Sequence, residues 1–170
     1  MNKEQIIRIT KPLSPSPCRC VLRVKKLLIM LLIFISTFKL SAQTAAEMDS
    51  LLETETVTIA AAARFVLGAA ELLRPELSGA EAERAAFELA VSNGWITQEA
   101  DELASLKDIS FLIINAFEIK GGVFYRFFRN PRYAFREMVY QNHIQGRAYP
   151  DMLVSGPRLL QIIERAGSTE

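Results

Sequence analysis

The chain has 170 residues, half of them apolar, with 20 bases, 19 acids and a formal charge of +1 at pH 7. That near-neutral total hides a split: residues 1–42 hold 8 bases and 1 acid, whereas residues 43–170 hold 12 bases and 18 acids. Without its first segment the protein is mildly acidic and long enough for one domain or two very small ones, a charge balance that argues against a general nucleic-acid binder.

Residues 23–42 read RVKKLLIMLLIFISTFKLSA. Arg23, Lys25 and Lys26 form a basic region, Leu27 to Phe38 an apolar run of 12 residues, and Leu40-Ser41-Ala42 a small-residue site. This order predicts a secretory signal within a leader spanning 1–42, cleaved after Ala42. Twelve apolar residues are too few to span a hydrocarbon core, so a retained anchor is the lesser reading. The expected address is the periplasm or cell envelope. Cys18 and Cys20 both fall in the leader and lack the spacing and companions of a metal site. The mature part therefore has no cysteine, and its stability must come from apolar packing.

Residues 43–56 are acidic and polar and predict a linker ahead of a domain over 57–167, with 168–170 as a tail. Thr58 or Thr56 can cap a helix that carries Ala60, Ala63, Val66, Leu67 and Leu73 on one face, with Pro75 beyond its end. A second helix is predicted from about Ala80 to Ser92, stopped by Asn93-Gly94. A third starts near Ser105, where Ser105-Leu106-Lys107-Asp108 fits a reciprocal capping box, and Gly121-Gly122 is expected to close it. A short helix over 124–128 follows, then one from Pro131 or Arg132 to Asn142. The last runs from Ser155 to Ala166, with Pro157 in its first turn. The fold class is all-α.

The segments repeat. Thr58-IAAAARFVLGAA, Ser105-LKDISFLIINAF and Ser155-GPRLLQIIERAG align without gaps at offsets of 47 and 50, and each carries alanine at its twelfth position: Ala69, Ala116 and Ala166. Arg84-AAFELAVSNGWI lies over Arg132-YAFREMVYQNHI at an offset of 48. Ala69 and Ala116 are expected at tight helix contacts.

This unit of helix, loop and capped helix resembles the S-layer homology family. The match is clearest from Arg132 through the turn Gly146-Arg147-Ala148-Tyr149-Pro150-Asp151 into the helix at Ser155. The family's T-R-A-E motif is not kept: Thr58-Ile59-Ala60-Ala61 retains the threonine, and Ser105-Leu106-Lys107-Asp108 retains a hydroxyl and an acidic end. Gly121-GVFYRFF and Arg132-YAFRE also resemble exported proteins of spirochaete envelopes. The resemblance implies divergent helical repeats packed as one compact domain around a pseudo-threefold axis. It also implies a non-enzymatic structural, scaffold or anchoring role, with cell-wall polysaccharide bound in grooves between the units.

Charge singles out the second half. Residues 44–118 hold 4 bases and 14 acids, but residues 119–170 hold 8 bases and 4 acids along with most of the aromatics. Arginine forks suit carboxylates and phosphates, while aromatics stack on sugars or lie at a membrane interface. Arg126, Arg129, Arg132 and Arg147 are the candidate ligand-binding residues, because they flank the Gly-rich loop and the turn. Phe117, Phe127, Tyr133 and Phe135 are expected in the core. The partners implied are cell-wall polysaccharide or another envelope protein, with peripheral membrane association as a further mode and no nucleic acid. A protein-docking module that uses this basic aromatic half is the alternative, and a small glycan-cleaving enzyme using Glu137 and Asp151 the second alternative. His143, the only histidine, aligns with Trp95 and is expected to plug a helix end. No cofactor, metal ligand set or catalytic residue is predicted.

Overall fold

The computed structural model describes residues 45–168. The leader, its cleavage position, Cys18, Cys20 and the last two residues lie outside them. The described part is all-α and belongs to one compact unit. Its helices are α1 (45–53), α2 (Ile59–Ala69), α3 (Gly79–Ser92), α4 (Leu106–Ala116), α5 (Val123–Phe127), α6 (Pro131–Tyr140) and α7 (Gly156–Gly167). No described helix is long and apolar enough to cross a membrane.

Three backbone hydrogen bonds close a ring at the centre. Val57 N–H donates to the Val154 carbonyl (2.9 Å), Val154 N–H to Ala104 (3.1 Å) and Ala104 N–H to Val57 (2.8 Å). All three residues are buried, and each immediately precedes a helix cap, Thr58, Ser105 or Ser155. Buried amides and carbonyls need partners, and with no sheet among the described residues these three short extended segments supply one another. The first amides of the following helices, which have no intrahelical acceptor, extend the pattern. Ile59 donates to Glu102 (2.8 Å), Leu106 to Met152 (2.9 Å) and Gly156 to Thr54 (3.0 Å).

This arrangement explains why two of the three expected hydroxyl caps, Ser105 and Ser155, do not form, whereas Thr58 caps α2 as expected. Thr58 Oγ1 accepts from Ala61 N–H at 3.4 Å. Ser105 instead donates its hydroxyl to the Asp108 carboxylate, whose other oxygen accepts from Gln98 Nε2 at 2.8 Å, so the predicted capping box does not form. The first two amides of α4 are already served by the Met152 and Pro150 carbonyls. In α7, Gly156 is served by Thr54 and Pro157 has no N–H, so Ser155 has little to cap.

The helix ends recur at the spacing of the sequence alignments. Leu72 N–H bonds to Leu67 (2.9 Å) with Glu71 left-handed at φ 57°, and 47 residues later Ile119 bonds to Ile114 (3.0 Å) with Glu118 at φ 52°. Trp95 bonds to Ala90 (2.9 Å) across Gly94 at φ 69°, and 48 residues later His143 bonds to Met138 (3.0 Å) across Asn142 at φ 62°. These are Schellman closures, in which an amide reaches back five residues. The third predicted helix therefore ends at Ala116, closed by Phe117 and the left-handed Glu118, ahead of Gly121-Gly122. Burial recurs too: Ala86 and Ala134, then Ile96 and Ile144, are buried in both copies, while Val91 and Val139 are exposed in both.

The main helix pairings are α2 with α3 and α4 with α6, while α2 also meets α4 and α7. Ala86, Ala90 and Ala134 are fully buried, and their small side chains let the backbones approach. Residues 45–53, expected within a linker, are instead a docked helix. Leu51 is buried in the core, and Glu47 pairs with Arg64 and accepts from Gly79 N–H at 2.9 Å. The linker reading failed because one buried leucine among acids has no visible period. Of the three equivalent alanines, Ala116 and Ala166 are buried and Ala69 is exposed, because the end of α2 lacks the cover that the other two ends receive.

Candidate functional site

Arg126, Arg129, Arg132 and Arg147 are all exposed, but the fold distributes them over two surfaces. The first is built on α5. Gly122 starts this five-residue helix, and Asn130 ends the turn behind it by capping α6, its Oδ1 accepting from Tyr133 N–H at 3.1 Å with Pro131 following. So short a helix has one inward position, and Tyr125 occupies it. Its ring lies edge-on to Phe111, with centroids 6.4 Å apart, and against Gly121, where a Cβ would overlap it. The enclosed phenol makes no hydrogen bond, and the nearby Asn115 amide donates to the Phe111 carbonyl at 2.6 Å. Burial pushes the phenol up, opposed by the neighbouring Asn115 and Arg129.

The rest of the segment faces outward. Val123 is 66% exposed, Phe124 70%, Phe127 79% and Phe128 55%. The expectation that Phe127 packs in the core is therefore wrong: Tyr125 takes the only inward place on this turn, and the remaining side chains have nothing behind which to fold. Phe128 stacks on Tyr133 with centroids 5.5 Å apart, and the Arg136 guanidinium lies 6.0 Å from the Tyr133 ring. Arg126 lines an open depression with Val123 and Phe127. Phe117 and Tyr133 pack partly buried against the core, and Phe135 is buried.

The second surface joins the start of α4, the start of α6 and the loop before α7. Lys107 and Asp151, 44 residues apart, form an ion pair. Its hydrogen bond and charge raise the Lys107 ammonium pKa and lower the Asp151 carboxyl pKa, and the charge of Arg132 bears on both. In the loop, the Arg147 guanidinium lies 6.0 Å from the exposed Tyr149 ring. Arg158 holds that loop by donating to the Arg147 carbonyl (2.8 Å) and to Met152 Sδ (2.8 Å). The cationic groups Arg132, Lys107 and Arg147 can hold carboxylate or phosphate groups, and Tyr149 offers a stacking face.

The Lys107–Asp151 pair has a pH window set by those two shifts. Because the Asp151 pKa is depressed, the pair is present above the ordinary carboxylate range and is lost as pH falls through the lowered value. Because the Lys107 pKa is raised, the pair persists through the ordinary lysine range and is lost as pH rises beyond it. Lys107→Met should return the Asp151 titration upward to ordinary aspartate behaviour, as read from its carboxyl carbon by NMR. An unmoved midpoint would assign the shift to another group.

Glu137 and Asp151 each have their own partner. Glu137 accepts from Gln141 Nε2 at 2.7 Å, and the same nitrogen donates to the Lys120 carbonyl at 3.1 Å, tying down the loop before α5. His143 is buried, with Nε2 3.2 Å from Gln141 Oε1, and its carbonyl accepts from Arg165 at 3.4 Å. Among the described residues no group of three or more His, Cys, Asp or Glu side chains is placed to hold a metal ion. Sequence reasoning passed over Lys107, whose partner is far along the chain, and put Phe127 in the core rather than outward. The signal for the latter was available: from 119 to 136 there are five cations and no acid, around an aromatic run too short to bury more than one face. No family model, curated protein or solved structure matches this chain.

Proposed function

We propose that the chain is a non-enzymatic, exported module of the cell envelope that anchors by binding an anionic cell-wall polysaccharide on the face formed by Arg132, Lys107, Arg147 and Tyr149. The observation that carries this reading is the ring of Val57, Ala104 and Val154, with capped helices leaving it at three places. Together with the recurring helix closures, it supports three S-layer-homology-like units in which α2 and α3, then α4 and α6, are the more complete pairs. The exposed cations and Tyr149 supply what an acidic sugar requires: forks for its charge and a flat face for its ring.

The test is cosedimentation of the full chain with purified sacculi across a salt series. Arg132→Gln combined with Arg147→Gln should weaken retention about tenfold at low ionic strength, with the deficit shrinking as salt screens the charges. Equal retention of variant and parent at every salt concentration would reject the reading. Specific recovery of an envelope protein in place of glycan would turn it to assembly, and release of glycan fragments would turn it to catalysis.

A further inference from the structure

The α5 ridge uses different side chains from the glycan face and makes different demands on a partner. Within six residues it exposes Val123, Phe124, Phe127 and Phe128, each by more than half. Single exposed apolar residues are ordinary on a protein surface, but a contiguous cluster marks an interaction site. The ridge is also held in place. Tyr125 is locked behind it by Phe111 and Gly121, the Gln141 amide fixes the loop before it, and Asn130 fixes its exit.

Charge and hydrogen-bonding capacity select the occupant. Lys120, Arg126, Arg129, Arg132 and Arg136 fall within residues 119–136 without a single acid. A second copy docking through the same face would set Arg126 and Arg129 against their own counterparts. A neutral sugar needs outward donors and acceptors for its hydroxyls, yet between Gly121 and Arg129 the only polar side chains are the two arginines and Tyr125, whose hydroxyl is enclosed. An anionic bilayer meets both conditions at once. Phenylalanine rings settle at the boundary between headgroups and acyl chains, while arginines reach the phosphates beside them.

We propose that α5 and its flanks dock on an anionic lipid surface, seating Phe124, Phe127 and Phe128 at the headgroup–acyl boundary with Arg126 and Arg129 on lipid phosphates. The module would then hold lipid through one surface and wall polymer through another. The lipid contact does not depend on the glycan reading.

The test uses the full chain with vesicles of phosphatidylcholine alone or mixed with phosphatidylglycerol. Because the apolar leader is common to all variants, the decisive signal is local: an indole introduced by Phe127→Trp, with Trp95→Phe to remove the native one. Its emission should shift to the blue on mixed vesicles and be quenched by lipids brominated near the headgroup. Phe124→Ser with Phe127→Ser should lower partitioning onto mixed vesicles about tenfold, and Arg126→Gln with Arg129→Gln should lower it on mixed vesicles alone. All four residues are exposed, so helix content should hold in each variant. Sacculus retention should be unchanged in these variants, just as vesicle binding should be unchanged in the Arg132→Gln, Arg147→Gln pair, so either reading can fail alone. An unshifted, unquenched indole on mixed vesicles would overturn the proposal. So would undiminished partitioning of the double serine variant, or its loss of a specific protein partner with vesicle binding intact.

Discussion

Gly156→Ala is expected to lower the unfolding free energy by about 3 kcal/mol, at the upper end of what overpacking costs. Gly156 opens α7, is buried, and passes directly against α1. A Cβ there would overlap the Leu51 carbonyl oxygen and crowd Leu51 Cγ at 3.1 Å. The obstructing atom is backbone and cannot swing aside as a side-chain tip can, so one of the two segments must move. The bond from Gly156 N–H to the Thr54 carbonyl (3.0 Å) would then stretch, and the burial of Leu51 with it. Urea denaturation of the full chain should show the loss, and limited proteolysis should find new cleavage within 45–53. A variant within about 0.5 kcal/mol of the parent would show that α1 shifts without cost, as surface segments do.

Ala116→Leu is expected to cost about 2 kcal/mol, whereas Ala69→Leu should fall within about 0.5 kcal/mol of the parent. The two residues hold the same position in aligned segments, end equivalent helices and precede equivalent left-handed glutamates, Glu118 and Glu71. They differ in cover. Ala116 is 7% exposed, on a helix packed against α6 and touching α2. Ala69 is exposed at the open end of α2. Thermal unfolding of the two variants side by side checks the contrast, and equal losses would mean that both helix ends are enclosed.

That pair also marks how far repetition in a sequence can be read. The aligned segments foretold equivalent helices, closures and buried positions, and Ala86 with Ala134 or Ile96 with Ile144 match in burial. An alignment has no access to what covers each copy, and Ala69 was misjudged for that reason. The candidate site shows the same division. That its arginines are exposed was legible, because they flank a Gly-rich loop and a turn, outside any apolar stripe. Their separation onto two surfaces was not, since neighbours along the chain part when one sits on α5 and another faces Lys107 and Asp151. Phe127 was misplaced because composition counts aromatics but not the room behind them.

The sequence by itself determined the all-α class, four of the helices (α3, α5, α6 and α7) nearly to their ends, the segment spacing and the cationic, aromatic character of residues 119–136. Each rests on local physics: apolar periodicity, caps, stop signals and charge read along a few turns. Tertiary structure decided the ring of Val57, Ala104 and Val154, the docking of α1 on Gly156, the release of Ser105 from capping and the outward turn of the α5 phenylalanines. In the first three, a backbone amide or carbonyl is satisfied or approached by a group more than 40 residues away, and in the last the inward place on α5 is taken by Tyr125. Long-range hydrogen-bond satisfaction and the finite volume of a core act between segments, so they are settled only when the segments meet.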